Sequence, residues 1–245
     1  MTVPDLSLAR LALAFLPVLL VVAVLQRWSL GSRTALHGVG RMLAQLLLVG
    51  YVLVYLFEAD RAGIVLAVLV FMLFVSSWIA LRPLRSDRPR LYSKALGAIG
   101  IGGGLTFLLI TQGVLDLDPW FSPRFLVPLG GMIFASCMNA VSLAGERFQA
   151  ETLRQIPYAG ARAAAFRASL IPLTNSLFAV GLVSIPGMMT GQILSGVSPL
   201  VAARYQIMVM CMIFGAAGVS SACFLAFLKP AYSPDGGEDF PLSGE

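Results

Sequence analysis

Polar punctuation divides this chain into seven apolar runs, each of about twenty residues. They cover roughly residues 6–25, 38–57, 62–81, 95–115, 125–145, 168–186 and 205–228. A run of that length with few charges is what a helix needs to cross the hydrocarbon core of a bilayer. A helix also satisfies every backbone N–H and C=O within one segment, which lipid cannot do. The alternating pattern of a membrane β-barrel is too weak here to support that fold. The expected fold class is all-α: a polytopic membrane protein with about seven transmembrane helices. Composition agrees, since 58% of the residues are hydrophobic and 12% are charged, against about a quarter charged in soluble domains.

Lys and Arg give the orientation. Arg27, Arg33 and Arg41 follow the first run, and Arg82, Arg85, Arg88, Arg90 and Lys94 follow the third. Arg147, Arg154, Arg162 and Arg167 follow the fifth, and Lys229 follows the seventh. In a seven-span chain these thirteen lie on one side, and Arg10, Arg61, Arg124 and Arg204 on the other. The side rich in Lys and Arg is cytoplasmic. The expected topology has the N-terminus outside and the C-terminus cytoplasmic, in the cell (inner) membrane. The net charge of +5 is accounted for by these loops, so the expected partner is the lipid bilayer and not nucleic acid. The first run lacks a basic stretch before it and a clear cleavage site after it, so it reads as a retained span. Pro17 should kink that span. Residues 1–230 read as a single transmembrane domain, and 231–245 as a polar, acidic, disordered tail.

Polar residues within the runs are the candidate functional positions, because intramembrane polar groups face protein or a cavity. Ser136 and Asn139 flank Cys137 and Met138 in the fifth run; Thr174 and Asn175 sit in the sixth; Gln45 sits in the second. Each can equally serve as interhelical hydrogen-bond glue. Gly97, Gly100, Gly102, Gly103 and Gly104 mark the fourth run as a close-packing surface, with Gly100 and Gly104 forming a GxxxG pair. Cys137, Cys211 and Cys223 are scattered in apolar runs and read as small buried hydrophobes. One histidine, His37, excludes a His-cluster metal site. The chain carries no GxxxxGK[ST], no HExxH and no nucleophile elbow. It is expected to be a non-enzyme that binds no cofactor. A stand-alone channel or secondary carrier is the alternative, although inverted repeats and midplane charges are not evident.

Two stretches stand out from this background. The first joins runs six and seven: GLVSIPGMMTGQILSGVSPLVAARYQ, residues 181–206. Pro186, Gly187, Gly191, Gly196 and Pro199 interrupt a helix passing through it. It reads either as a re-entrant or broken-helix element, or as a tight turn packed by small residues. Gly187 and Gly191 allow close approach; Thr190 and Gln192 are polar; Met188 and Met189 give a deformable surface. Thioethers also suit soft metals such as Cu(I), but Met208, Met210 and Met212 nearby favour packing. The second stretch, 146–167, is amphiphilic and Ala-rich, and Pro157 should split it into two short helices. Arg147 and Glu151 form an i, i+4 pair, and Arg162 and Arg167 flank Phe166. Such a segment can lie on the bilayer surface or dock a partner.

The string LVSIPGMMTGQILSGVSPLVAARYQIMV resembles the signature of the FetB/YbbM-like, UPF0014-type family of ABC transporter permeases. Plant aluminium-tolerance permeases belong to the same family. The resemblance continues in VPLGGMIFASCMNAVSLAGER and VGRMLAQLLLVGYVLVYLF, and covers most of residues 38–228. It implies a permease subunit, probable exporters among its members, that works as a homodimer with a separate ABC ATPase subunit. ATP and Mg would then be held by the partner. Family members are associated with iron export or with a nucleotide-sugar substrate. The transport path or gate would draw on Ser136, Asn139, Thr174, Asn175 and the 187–192 stretch. ATPase coupling would fall to Arg147, Glu151, Arg154, Arg162, Phe166 and Arg167. AFRASLIP matches the family's exit from the coupling segment, whereas RQIPYAGAR is shorter than the family pattern.

Overall fold

The computed structural model of the protein describes residues 7–57, 61–84 and 87–229. The expected tail at 231–245 and Arg85 of the second basic loop lie outside these residues. The described helices fall into two compact units, one before and one after residue 60.

The first unit holds α1 (Leu8–Leu13), α2 (Leu16–Arg27) and α3 (Ser32–Phe57). The first apolar run is thus two helices, separated at Ala14 and Phe15. Pro17 explains the position. It has no N–H for the carbonyl of Leu13, and its ring crowds that carbonyl. The break therefore falls one turn upstream of Pro17, which sits in the first turn of α2, where a missing N–H costs nothing. The loop expected to carry Arg33 and Arg41 is shorter than its charges suggest, because α3 begins at Ser32 and both are helical.

The second unit holds α4 (Ala62–Ala80), α5 (Arg88–Leu108), α6 (Pro123–Leu153), α7 (Tyr158–Ala179), α8 (Gly187–Leu194) and α9 (Pro199–Leu228). A π-helical turn, Leu109–Val114, extends α5. Among the described residues six helical stretches are long and apolar enough to cross a membrane: Arg10–Arg27, Ser32–Phe57, Ala62–Ala80, Arg88–Val114, Pro123–Leu153 and Pro199–Leu228. The protein is therefore an all-α polytopic membrane protein. The expected sixth span, 168–186, is where the structure departs most from expectation. Its helix, α7, starts ten residues earlier and ends at Ala179. With Arg162, Arg167 and Thr174–Asn175–Ser176 spread along it, α7 holds no stretch apolar enough to stand among those six.

The core of this unit forms where α4, α5, α6 and α9 meet. Without a hydrophobic drive between helices in lipid, close backbone packing by small residues takes over. A Cβ on Gly102 would collide with the Ser220 side chain, lie 2.5 Å from the Ser220 nitrogen and 2.9 Å from the Ala216 oxygen. A Cβ on Gly103 would press on Ile133 and Phe134 at 3.2–3.3 Å. Gly130 and Gly145 of α6 are equally confined, against Leu69 at 2.5 Å and Leu84 at 2.8 Å. The expected GxxxG pair is not the packed one: Gly104 has nothing within 4 Å and Gly100 only Leu73 at 3.9 Å. The glycine run offers more than one helical face, and α9 takes the face of Gly102. Cys137 is buried as expected, but Cys211 is exposed on the outer face of α9.

The second basic loop is also tighter than its charges imply. Arg88 opens α5 and donates from Nε and Nη2 to the Trp78 carbonyl at 3.0 and 2.6 Å. Its guanidinium lies 4.0 Å from the Trp78 ring centroid. One arginine thereby ties the start of α5 to the end of α4.

Candidate functional site

The segment 146–167 is not two separate short helices. Its first part is the continuation of α6, and its second is the start of α7. At 31 residues α6 is about 46 Å long, against a hydrocarbon core of about 30 Å. Past Gly145, which packs on Leu84 just beyond α4, it runs on for about 12 Å. The turn at 154–157 is closed by bonds from the Gln155 nitrogen to the Thr152 oxygen (2.8 Å) and from the Ile156 nitrogen to the Glu151 oxygen (3.2 Å). Gln155 takes the left-handed conformation such a helix end requires, at φ 59°. Pro157 then caps α7 from outside, with its missing N–H doing no harm.

Packing stiffens this hairpin. The Tyr158 hydroxyl donates to the Leu225 carbonyl of α9 at 2.9 Å, and its ring meets Phe148 edge-on at 6.0 Å. Arg147 and Glu151 form the expected pair at 2.5 Å, with Glu151 turned inward and Arg147 half exposed. Arg162 lies over the Tyr158 ring at 5.4 Å, and Arg154 and Arg167 are exposed. Phe166 packs against the core instead of joining an outer face. The apolar side chains exposed near the hairpin tip are Leu153 and Ile156, which sequence reasoning had passed over.

The 187–192 stretch forms a short helix, α8, despite its two glycines. Pro186 stands just before it, and the peptide from 180 to 184 makes a turn with Gly181 at φ +82°. This is the broken-helix alternative, with the break before the glycines. No residue of α8 is buried, and a Cβ on Gly187 or Gly191 would meet nothing within 4 Å. Thr190 donates only to the Pro186 carbonyl at 3.2 Å. The side-chain oxygen of Gln192 is shielded yet has no hydrogen-bond partner among the described residues. Met188 reaches a small cavity of 40 Å³, shared with Met132 of α6 and Tyr205 and Met208 of α9.

The second half of α7 shares this openness. Its buried residues are Ala161, Ala165 and Ser169, and none lies beyond Ser169. Thr174 is half-buried and Asn175 exposed, and neither has a hydrogen bond among the described residues. A separate groove of 580 Å³ lies at the C-terminal end of α4, lined by Ile79, Arg82, Pro83, Met138, Asn139 and Ser142.

The family model described as "Uncharacterised protein family (UPF0014)" matches residues 8–158 and 154–232. The chain belongs to the UPF0014 family. It is 34% identical over 238 residues to a protein of Escherichia coli named "Probable iron export permease protein FetB", covering 89% of this chain and 90% of that one. It is 37% identical over 190 residues to a UPF0014 membrane protein of Synechocystis sp., covering 71% and 73% respectively. With the Arabidopsis thaliana "Protein ALUMINUM SENSITIVE 3" the identity is 29% over 92% of this chain and 89% of the relative. No solved structure matches the chain.

In this UPF0014 chain the expected path residues do not converge on one cavity. Asn139 lines the groove at the end of α4, Met188 the cavity beside α9, Thr174 is half-buried, and Asn175 and Thr190 lie on open surface. Ser136 turns back to the Met132 carbonyl at 2.8 Å. Gln206 of α9 escaped sequence reasoning: it is 6% exposed, and its side-chain oxygen has no partner among the described residues. Its signal in the sequence was one amide in an otherwise apolar helix.

Proposed function

We infer that this chain is the membrane-spanning permease subunit of an ABC exporter, driven by a separate ATPase that docks on the α6–α7 hairpin. The observation that carries the reading is that hairpin. It extends beyond the level of the α4 end, is braced by Tyr158, and presents Leu153, Ile156, Arg154 and Arg162 outward. A rigid, basic and partly apolar knob is suited to receiving force from a soluble partner. The FetB relative is named "Probable iron export permease protein", which supports outward transport of an iron-related substrate in the cell membrane. ATP and Mg belong to the partner.

Two copies of the chain form the working unit. Thr174 and Asn175 carry polar groups on the second half of α7 with no hydrogen-bond partner among the described residues, and lipid cannot pair them. The glycine face of α8 is open beside them. A two-fold copy would cover both surfaces at once and enclose a path between the subunits. Counted as a seventh crossing, α7, with 22 residues and about 33 Å of length, puts the N-terminus outside and the C-terminus and the hairpin in the cytoplasm. Arg88 opens the Arg88–Val114 stretch and Asp118 follows it, so single-cysteine labels at the two positions should react from opposite sides.

The test is co-purification of the chain with a Walker-motif ATPase, sought first in the neighbouring reading frame, followed by ATPase assay in lipid. Arg162→Glu and Arg167→Glu should leave membrane abundance intact while cutting recovered ATPase at least tenfold. Normal co-purification and transport in both variants reject the docking assignment.

A further inference from the structure

We propose that the groove at the inner end of α4 binds the phosphate ester of an anionic phospholipid headgroup, held by Arg82, Asn139 and Ser142. The location comes first. Helix α4 has 19 residues and no charge, so it spans about 28 Å and delivers Arg82, two residues past its end, to headgroup level. The neighbouring cation, Arg88, is committed to the Trp78 carbonyl and ring. Arg82 is exposed and has no acidic partner among the described residues.

The donors come second. Asn139 presents an exposed amide and Ser142 a half-buried hydroxyl, one turn apart on α6, and neither has a hydrogen bond among the described residues. A guanidinium, an amide and a hydroxyl around one groove, with no carboxylate lining it among the described residues, call for a ligand with several acceptor oxygens and negative charge. Ile79, Pro83 and Met138 complete the wall with apolar surface, which fits the glycerol and upper acyl part of a lipid. The volume of 580 Å³ is far more than one phosphate group needs and falls in the range of ligand pockets. Basic pockets between helices on the cytoplasmic side are where anionic headgroups bind.

The experiment uses the full purified chain in detergent, read by thermal unfolding during titration with phosphatidylglycerol, with phosphatidylcholine, and with free glycerol 3-phosphate. Phosphatidylglycerol should raise the unfolding temperature saturably, and phosphatidylcholine should not. Arg82→Gln and Asn139→Asp should each weaken the apparent affinity about tenfold, the loss of one contact to a charged group. Arg61→Gln, at the other end of α4, should leave it unchanged. Asn139 is exposed, so Asn139→Asp serves as the test if Arg82→Gln fails to fold. A shift of equal size with glycerol 3-phosphate would overturn the lipid as occupant in favour of a soluble phosphate ester. Equal titrations for wild type and both groove variants overturn the site itself. None of these readouts depends on transport or on an ATPase.

Discussion

Gly102 and Gly191 are both glycines inside helices, and the two regions that hold them use glycine in opposite ways. At the α5–α9 seam the missing side chain is a packing requirement: Gly102 leaves room for Ser220 and Ala216 and for nothing else. In α8 the missing side chain leaves open space. The seam lies among buried residues from four helices, while α7 beyond Ser169 and all of α8 bury none. Small residues at a helix surface therefore mark either a contact already made within the chain or a surface kept narrow for something outside it. The first kind controls folding; if two copies form the working unit as proposed, the second controls assembly.

The largest effect should come from filling the seam. Gly102→Ala places a methyl group against the backbone of α9, which cannot rotate away, and overpacking of this kind costs about 1–3 kcal/mol. Membrane abundance and melting temperature in detergent should both fall sharply. Gly104→Ala, two residues on and open, should change neither. Equal effects of the two would erase the distinction between packed and open glycines.

Gly191→Leu is the converse case. The chain should insert and melt within about 0.5 kcal/mol of wild type, as expected where a new side chain meets no neighbour. Self-association and vesicle transport should nevertheless be lost, because the added side chain holds the second copy away. Full transport in this variant would make α8 a mere connector and turn attention to Asn139 and Asn175.

The same contrast explains what the sequence made legible. The all-α membrane fold and six of the seven expected span positions follow from run length and composition, which act locally and are visible one residue at a time; the expected span at 168–186 does not. The Arg147–Glu151 pair was readable because helical spacing alone brings it together. Which glycine faces α9 depends on the rotation of two helices, and the run at 102–104 permits several answers. The extent of α6 was hidden because its charged second half resembles a loop when judged by hydropathy. Phe166 illustrates the same limit: its neighbours Arg162 and Arg167 point outward, while its ring turns to the core. The arginine of the inner groove looked like one loop charge among five, since its partners come from a helix some sixty residues away.

Between the two regions stands the hairpin, packed on one side and open on the other. Tyr158→Phe keeps the ring against Phe148 but removes the hydroxyl that reaches Leu225. Stability should fall by about 1 kcal/mol, the net worth of one such bond. Hydrogen exchange should rise at 150–160 and stay unchanged in α4. A uniform rise would show that the tyrosine supports the whole bundle and not the hairpin in particular.

The smallest effect should come from Thr190→Val, and it sharpens the comparison most finely. The substitution keeps shape and nearly keeps volume, so it cannot act by blocking an approach as leucine at 191 does. Within the chain the Thr190 hydroxyl donates only to the carbonyl of Pro186, one turn earlier on an exposed surface. Losing that local bond should move the melting temperature of the isolated chain by no more than experimental scatter. If α8 meets a second copy, the hydroxyl gains an interhelical partner there, and such bonds within membranes are worth about 0.6 kcal/mol on average. Dimer affinity should then fall about threefold, with transport reduced in proportion, since 1.4 kcal/mol corresponds to a factor of ten. Serine at 190 restores the hydroxyl without the methyl group and should restore affinity. An unchanged dimer affinity in valine and serine variants alike would mean that α8 contributes shape alone to the contact, with Gly191 as its controlling residue.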